Sequence, residues 1–205
     1  MIERQLVARG IADPKVLAAM ARVPREAFIA PELAKSAYDD SPLPIAEGQT
    51  ISQPYIVALM TEAACVGSSS RVLEVGSGSG YAAAVLAELA ASVVTIERHA
   101  KLAASAREIL KRLGYSNVDV IEGDGSRGMP ERAPFDAILV AAAAPEAPES
   151  LKRQLAEGGR LVIPISANSH QDLRAITRRG DRFEEEDLGP VRFVPLLGEE
   201  GWEEG

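Results

Sequence analysis

The sequence predicts an α/β protein in which helices flank both faces of a mostly parallel β-sheet. Short apolar segments rich in β-branched residues alternate with segments of helical periodicity, and strands are expected near residues 71, 92, 118, 135 and 159. This alternation is typical of a doubly wound sheet, because parallel neighbours need a crossover helix. From residue 173 to 197, shorter strands around a polar Arg-Arg-Gly-Asp turn predict an antiparallel edge.

The chain ahead of the first predicted strand has a different character. Short helices are expected from about residue 2 to 28, with Asp13 as an N-cap and Pro14 at the first helical position. Residues 30 to 54 are interrupted by Pro, Gly, Asp and Ser, and they form too long a segment for a plain connector. We therefore expect a helical preface and a functional loop, followed by a helix over residues 55 to 64.

Two crossover helices are indicated by their pattern. Residues 81 to 89 follow a glycine-rich turn and consist mainly of Ala, Leu and Val. Residues 99 to 113 place Leu102, Ile109 and Leu110 on one face, and Gly114 is expected to end that helix.

A glycine-rich loop follows the first predicted strand. Gly76, Gly78 and Gly80 alternate with Ser77 and Ser79, so the backbone can approach a ligand closely and present N–H groups to it. The sequence has no Gly-Lys pair for a Walker loop, and both serines are in the wrong register for a nucleophile elbow. A dinucleotide fingerprint would lack its third glycine. The G-x-G-x-G spacing is that of S-adenosylmethionine sites, with a flexible Gly/Ser turn as the alternative.

Acidic side chains stand at the carboxyl ends of three predicted strands, where such sheets bind ligands. Glu97 lies about 20 residues beyond the loop, the position of a carboxylate that binds ribose hydroxyls. Asp124, beside Gly125, is expected to meet the adenine amino group, and Glu74 precedes the glycine loop. Taken singly, Glu97 or Asp124 has the alternative of a solvated strand end. Together, three acids without a Walker lysine favour a cationic cofactor such as S-adenosylmethionine.

Composition narrows the class of protein. The 205 residues are 46% apolar and 25% charged, which suits one domain with a sizeable core, and no apolar run approaches the ~20 residues of a membrane span. The net charge of −8 disfavours nucleic acid as a partner. Cys65 is the single cysteine, which fits a reducing cytoplasm. His99 and His170 lack paired ligand spacing, so no metal is expected.

Motifs outside the glycine loop carry a resemblance to one family. The most specific is Gly48-Gln49-Thr50-Ile51-Ser52-Gln53-Pro54-Tyr55, which follows Pro42-Leu43-Pro44-Ile45. Further matches are Arg9-Gly10-Ile11, Val23-Pro24-Arg25-Glu26, Ile96-Glu97-Arg98, Leu113-Gly114-Tyr115, Gly123-Asp124-Gly125, Gly158-Gly159-Arg160-Leu161-Val162-Ile163-Pro164 and Val191-Arg192-Phe193-Val194-Pro195-Leu196. Over nearly its whole length, the chain resembles the protein-L-isoaspartate O-methyltransferases.

The resemblance implies a Rossmann-like class I S-adenosylmethionine-dependent methyltransferase fold and a protein-repair reaction. A methyl group would pass from S-adenosylmethionine to the free α-carboxyl of an L-isoaspartyl residue in an age-damaged protein or peptide, leaving S-adenosyl-L-homocysteine. The ester would then collapse to a succinimide that opens partly to aspartate. We expect a cytoplasmic monomer with no nucleic-acid or membrane partner. Activity toward D-aspartyl residues stays open.

The resemblance also marks individual residues. Ser52 matches the active-site serine, Thr50 lies in the isoaspartyl-binding segment, and the backbone at Ile165 is where the family holds the substrate chain. Gln171 matches a glutamine on the cofactor side of the pocket. The remaining cofactor-binding residues are expected to be Glu74, Gly76, Ser77, Gly78, Gly80, Glu97, Asp124 and Gly125.

These assignments divide the chain into three parts. Residues 1–65 form an N-terminal helical segment with the substrate loop, and residues 66–198 form the S-adenosylmethionine-binding α/β domain with the C-terminal strands. Residues 199–205 are an acidic tail that is expected to fray.

The expected role of Ser52 follows from the chemistry of the acceptor. A free α-carboxyl has a pKa of about 3.5, so it is ionised at pH 7 and needs no general base. In-line placement against the methyl carbon is the main requirement, and placement can contribute about 7 to 11 kcal/mol. Ser52 would donate a hydrogen bond that orients the carboxylate. The alternative is that Ser52 caps the following helix, and the two roles are compatible.

Several points stay open at the level of sequence. Ala141 stands where the family usually has a threonine, and Ser166 replaces a more usual glycine, so fine substrate preference is undecided. Tyr38, Tyr55 and Tyr81 are all possible pocket walls. Two other functions are alternatives, namely a methyltransferase for a small molecule or nucleic acid, and a nucleoside-binding protein without turnover.

Overall fold

The computed structural model describes residues 1–167 and 170–203. In chain order, its helices and strands are α1 (Pro14–Arg22), β1 (Leu43–Pro44), β2 (Thr50–Ile51), α2 (Pro54–Ala63), β3 (Arg71–Val75), α3 (Tyr81–Ala87), β4 (Ser92–Glu97), α4 (Ala100–Arg112), β5 (Val118–Glu122), β6 (Phe135–Val140), α5 (Glu149–Arg153), β7 (Leu155–Ala167), β8 (His170–Arg179) and β9 (Arg182–Pro190). A π-helical turn over Ile2–Leu6 and 3₁₀ turns over Val7–Arg9, Arg25–Phe28, Pro31–Ser36 and Ala46–Gly48 shape the N-terminal part, and 3₁₀ turns over Gly125–Arg127 and Pro130–Arg132 follow β5.

The main sheet has the strand order β5-β4-β3-β6-β7-β8-β9. The strands from β5 to β7 pair in parallel, whereas β7, β8 and β9 pair antiparallel. This confirms the predicted doubly wound sheet with an antiparallel edge at its C-terminal side. From β3 the chain passes to β4 on one side, and it returns as β6 on the other. The crevice beyond the end of β3 is therefore the switch point at which such sheets bind ligands.

The helix boundaries follow the local sequence signals. The Asp13 carboxylate caps α1 by accepting a 2.7 Å hydrogen bond from the N–H of Lys15, and Pro14 is the first helical residue, as predicted. His99 is the N-cap of α4 and Leu113 is its C-cap. Gly114, at φ +86°, then takes the left-handed conformation that ends a helix without a steric cost.

The C-terminal strands differ in extent from the expectation. β7 begins at Leu155, before the expected strand near residue 159, because Leu155 pairs with Phe135 across an irregularity in the β6–β7 register. The hairpin between β8 and β9 turns at Gly180 and Asp181, as predicted. Residues 191 to 197 do not continue the sheet as a regular strand. Pro190 precedes this segment and Pro195 lies within it, and both lack the N–H that a ladder requires.

Apolar side chains alternate between the two faces of the sheet. One face packs against α2 and α3 through Val72, Val93, Leu139 and Val162. The other contains Leu73, Ile96, Ile138, Val140 and Leu161 and packs against α5 through Leu151. A further cluster joins the N-terminal turns to α3 and α4, with Leu6, Met20, Phe28, Ile51, Tyr81, Ala106 and Leu110 among its buried members. The N-terminal segment is thus held against the helices that follow the glycine loop.

The C-terminal tail from Glu199, which is predicted to fray, begins with two backbone hydrogen bonds. The backbone N–H of Glu199 donates to the Asp124 carboxylate at 2.9 Å, and that of Glu200 donates to the Ser126 hydroxyl at 3.1 Å. The tail finds these partners because the turn after β5 presents oxygen acceptors to it. Of the predicted tail, residues 204 and 205 lie outside the described residues.

Candidate functional site

A cavity of about 1030 Å³ opens at the carboxyl ends of β3 and β4. Three parts of the chain enclose it: the glycine loop with the neighbouring strand ends, the segment around β2 and the start of α2, and the segment after β9. Lining residues include Thr50, Ser52, Tyr55, Glu74, Gly76, Ser77, Gly78, Tyr81, Glu97, Gly125, Ala141, Pro190, Phe193, Leu196 and Leu197. Of the three possible wall tyrosines, Tyr55 and Tyr81 line this cavity.

The glycine loop presents backbone to the cavity. Gly76 and Gly78 have φ values of +93° and +51°, which is a conformation that side chains rarely adopt. A Cβ on Gly78 would lie 3.5 Å from Cδ1 of Ile45, so the loop also touches the N-terminal segment. Gly80 serves packing instead. A Cβ there would lie 3.2 Å from Ala106 and 3.3 Å from Leu110, so the glycine lets α3 approach α4.

Glu97 is held at the end of β4 by two backbone N–H groups. Its side chain is only 4% exposed. One carboxylate oxygen accepts from the N–H of Gly78 at 2.8 Å and the other from the N–H of His99 at 2.9 Å. The carboxylate therefore ties the glycine loop to the start of α4, and its remaining lone pairs are available to a ligand.

Glu74 lies deeper, at the end of β3, and is 2% exposed. The hydroxyl of Thr95 on β4 donates to its carboxylate. Burial raises the pKa of Glu74 to about 7; the hydrogen bond from Thr95 opposes this rise and the nearby charge of Glu97 adds to it. The carboxylate is thus a group whose charge responds to a cation placed beside it.

Asp124 and Gly125 occupy different places although they are adjacent. Gly125 lines the cavity, and a Cβ on it would lie 2.5 Å from Cγ1 of Val75. Asp124 stands outside the lining and caps the next turn, with one carboxylate oxygen accepting from the N–H of Ser126 at 2.8 Å and the other from that of Glu199. Asp124 is an exposed residue; the desolvation of its carboxylate would raise its pKa, but these two N–H groups outweigh that effect and hold the pKa below the usual value.

The opposite wall is built on the β1–β2 ribbon. Thr50 pairs with Pro44 and Ile51 pairs with Leu43. Ser52 follows directly and lines the cavity. The N-cap of α2 is Gln53, without a side-chain capping hydrogen bond, so the structure does not use Ser52 as a helix cap.

Two residues that the sequence placed in the site lie outside the cavity lining. The side-chain amide of Gln171 accepts from the N–H of Phe193 at 2.6 Å and donates to the carbonyl of Phe193 at 3.2 Å. It thereby fixes the wall segment after β9. Ile165 bridges to Ala144 near the end of β7, and the N–H of Ser166 donates to the carbonyl of Ala144 at 2.8 Å.

Sequence reasoning did not assign a role to Arg9. Its guanidinium lies 3.4 Å from the ring centroid of Tyr55 and 2.6 Å from the Asp40 carboxylate, and it lines the cavity mouth. The only signal in the sequence was the Arg9-Gly10-Ile11 match to the family. The wall from residue 190 to 197 was likewise visible only as a family match.

No cluster of three or more His, Cys, Asp or Glu side chains is arranged to hold a metal ion within residues 1–167 and 170–203. In the same part of the chain, no helix has the length and apolar character needed to cross a membrane.

A switch-point crevice, a glycine loop after the first sheet strand and acids at the next strand ends define an α/β methyltransferase of class I. A family model described as Protein-L-isoaspartate(D-aspartate) O-methyltransferase (PCMT) matches residues 1–201. The chain belongs to this family.

Individual relatives match nearly the whole of this chain. A protein-L-isoaspartate O-methyltransferase from Rhodopseudomonas palustris is 58% identical over 206 residues, covering 100% of this chain and 94% of the relative. A protein-L-isoaspartate O-methyltransferase from Methylorubrum populi is 61% identical, and the match covers 96% of this chain and 93% of the relative. A solved structure named protein-L-isoaspartate O-methyltransferase superposes with a TM-score of 0.87 at 32% identity. The match covers 98% of this chain and 67% of the solved chain. Another of that name from Plasmodium falciparum, in complex with S-adenosyl-L-homocysteine, gives 0.82 at 32% identity and covers 96% of both chains.

Proposed function

We propose that this protein is an S-adenosylmethionine-dependent repair methyltransferase that esterifies the free α-carboxyl of L-isoaspartyl residues in damaged proteins and peptides. The observation that carries the proposal is that one cavity has the glycine loop and two buried acids on one side and Thr50 and Ser52 on the other. The ester formed on the substrate would close to a succinimide and release methanol, and water would open the succinimide partly to aspartate.

The chemistry of the cavity fits the cofactor. The Ser77 hydroxyl is buried, at 5% exposure for the residue, and has no hydrogen-bond partner in the described protein. Leaving such a group unpaired costs about 1 to 3 kcal/mol, which a polar ligand in the cavity would recover. Glu74 and Glu97 add negative charge beside it. When bound, S-adenosylmethionine supplies an electrophilic methyl group on a sulfonium and leaves as S-adenosyl-L-homocysteine.

Each wall then has a distinct task. Glu97 would accept from the ribose hydroxyls with the lone pairs that Gly78 and His99 leave free, and Glu74 would offset the positive charge. The loop from Gly76 to Gly80 would bring its backbone close to the cofactor, although the N–H of Gly78 already donates to Glu97, and Gly125 would line the site beside the base. The adenine role of Asp124 stays a prediction, because its carboxylate lies outside the cavity lining and accepts from the N–H groups of Ser126 and Glu199.

The substrate wall needs no base. The acceptor carboxylate is ionised at neutral pH, so the protein has to orient it and exclude competing poses. Ser52 would donate a hydrogen bond to that carboxylate from the end of β2, with Thr50 beside it. Ile165 would offer its backbone to the substrate chain, and Gln171 would support the cofactor side through the wall at Phe193.

The proposal extends to the surroundings of the enzyme. A net charge of −8 gives little attraction for nucleic acid, which supports proteins and peptides as the substrates. We also propose a monomer that works in the cytoplasm, and the single cysteine, Cys65, fits that reducing compartment. Size-exclusion chromatography coupled to light scattering would test whether the protein is a monomer.

The experiment is methyl transfer with radiolabelled S-adenosylmethionine to two peptides of one sequence, containing either L-isoaspartate or L-aspartate, scored as base-labile methanol. Label in the isoaspartyl peptide alone is the expected result. Label in neither peptide, with binding of S-adenosyl-L-homocysteine intact, would favour the nucleoside-binding alternative. Label in both peptides would contradict the specificity that is proposed for the Thr50–Ser52 wall.

A further inference from the structure

The segment Leu196–Trp202, called here the C-terminal strap, folds back on itself beside the cavity. The N–H of Trp202 donates to the carbonyl of Leu196 at 2.7 Å. The indole N–H of Trp202 donates to the carbonyl of Ala143 at 2.9 Å, and the N–H of Leu196 donates to that same carbonyl at 2.8 Å. A Cβ on Gly201 would lie 2.2 Å from the Leu196 carbonyl oxygen, so the loop closes only with glycine there. The strap therefore has a defined shape.

The strap crosses over the turn that carries Asp124. Its two consecutive N–H groups, from Glu199 and Glu200, donate to the Asp124 carboxylate and the Ser126 hydroxyl at 2.9 and 3.1 Å. A Cβ on Gly198 would lie 2.1 Å from Oδ1 of Asp124, so the strap backbone rests directly on this carboxylate. Asp124 is thus held by two N–H groups, one from Glu199 in the strap and one from Ser126 in its own turn.

Besides the Trp202 indole, the Glu200 side chain anchors the strap to the body of the protein. The Glu200 carboxylate accepts from both the N–H of Ser150, at 3.0 Å, and the Ser150 hydroxyl. Partial burial would raise the pKa of Glu200, but the hydrogen bonds from Ser150 outweigh it and hold the pKa below its usual value. The strap also has an ion pair between Glu199 and Arg127 at 3.1 Å. Both side chains are exposed, so this pair contributes little to holding the strap in place.

The strap also reaches the cavity. Leu196 and Leu197 line it together with Gly125, which follows Asp124. We propose that the C-terminal strap positions the cofactor end of the site, and that Glu200 acts as a positioning residue by keeping the strap on Asp124. This inference rests on the proposed function. Glu200 would then set the affinity for the cofactor without setting the rate of methyl transfer.

The first test compares Glu200→Ala with Glu200→Gln. The alanine variant loses both hydrogen bonds from Ser150 and should weaken S-adenosyl-L-homocysteine binding about tenfold by calorimetry, within the usual range of coupling between distinct sites. The glutamine can still accept from the Ser150 N–H, so most of the affinity should return. The KM for S-adenosylmethionine should follow the binding constant, whereas kcat at saturation and the KM for the isoaspartyl peptide should stay unchanged.

Glu199→Ala is the matched control on the same strap. It removes the exposed contact to Arg127 but keeps the backbone N–H that binds Asp124, so binding should change less than twofold. An equal loss in Glu199→Ala and Glu200→Ala would contradict the proposal, because it would indicate a general charge effect. Unchanged binding in Glu200→Ala, or a fall in kcat with unchanged binding, would also overturn it.

A second measurement uses the unmodified protein and does not depend on how a variant folds. Because coupling is reciprocal, a cofactor that benefits from the docked strap must also hold the strap in place. S-adenosyl-L-homocysteine should therefore slow hydrogen exchange at the amides of Glu199 and Glu200. Unchanged exchange there, with the ligand bound, would contradict the proposal. Binding without methylation of isoaspartyl peptide would contradict only the proposed function, and no binding at all would contradict both.

Discussion

The two walls of the cavity are built in different ways. On the cofactor side, Glu74 and Glu97 stand at the ends of adjacent parallel strands, and backbone N–H groups fix the Glu97 carboxylate. On the substrate side, β1 and β2 have two residues each, and the surrounding turns are held by side chains from distant parts of the sequence. Glu62 accepts from the N–H groups of Ala12 and Asp13 at 2.8 and 2.6 Å, and Arg25 donates to the carbonyl of Ala37 at 2.7 Å.

This difference shows that one cavity combines a wall set by the sheet with a wall set by a few side chains. A sheet edge sets the position of the cofactor groups with many shared backbone hydrogen bonds. The substrate wall depends on a few side chains, so single substitutions there are expected to act on stability or on substrate binding, whereas loss of Glu97 from the first wall is expected to act on cofactor binding. The predictions below test that separation in order of expected size.

The largest effect is expected from Arg25→Ala on the substrate side. Arg25 is fully buried, and its guanidinium lies 4.8 Å from the Tyr81 ring centroid, so it joins the N-terminal turns to the start of α3. Its removal would leave a cavity and an unpaired Ala37 carbonyl, and should lower the free energy of unfolding by about 4 kcal/mol in urea. Arg22→Ala, which breaks an exposed contact to Glu88, is the control and should cost under about 1 kcal/mol. Equal losses would contradict the account.

The next effect concerns the pH dependence set by Glu74. Its pKa rises from 4.5 to about 7 on folding, so the neutral form stabilises the fold below pH 4.5 and this contribution is lost as pH rises through 7. The loss should total roughly 3 kcal/mol for the cofactor-free protein. Glu74→Gln stays neutral and should flatten that part of the stability profile. If the free energy of unfolding of Glu74→Gln fell with pH as steeply as that of the parent, another group would be the cause of the pH dependence.

Glu97→Ala should separate cofactor binding from the fold. The substitution removes the carboxylate that accepts from the N–H groups of Gly78 and His99. It also removes the proposed contact with the ribose hydroxyls. We expect about a hundredfold weaker binding of S-adenosyl-L-homocysteine by calorimetry, since two hydrogen bonds to a charged group are lost. Glu122→Ala is a close control, because Glu122 pairs with Glu97 in the β4–β5 register but is exposed. Similar losses in both would contradict a specific role for Glu97.

Ser52→Ala should give the smallest free-energy change and the most selective one. Since Gln53 and not Ser52 is the N-cap of α2, stability should change by less than about 0.5 kcal/mol. The loss of the orienting hydrogen bond should lower kcat/KM for an isoaspartyl peptide about thirtyfold, with cofactor affinity unchanged. Ser116→Ala, at an exposed site outside the cavity, should leave both values as they are. Weaker cofactor binding in Ser52→Ala would place this serine on the wrong wall.

Local patterns in the sequence predicted one wall better than the other. The strand before Gly76, the G-x-G-x-G spacing and the distance to Glu97 all reflect short-range geometry, so the switch-point crevice could be inferred from residues alone. The Ser52 wall could be inferred only from the resemblance, because two-residue strands and 3₁₀ turns leave no periodic signal.

The least predictable features are contacts between distant residues. Arg9 meets Asp40, and Glu199 meets Asp124 across 75 positions of sequence. Asp124 illustrates the consequence: its place after β5 was predicted, but its position under the C-terminal strap and outside the cavity lining was not. Neither periodicity nor composition records which turn a returning tail will contact.

The most direct test of the two-wall account is a crystal structure with S-adenosyl-L-homocysteine and an isoaspartyl peptide bound together. We expect the ribose hydroxyls against Glu97, the base beside Gly125 and the peptide α-carboxylate within hydrogen-bond distance of the Ser52 hydroxyl. An α-carboxylate bound away from Ser52, or a nucleoside bound away from Glu97, would contradict the account.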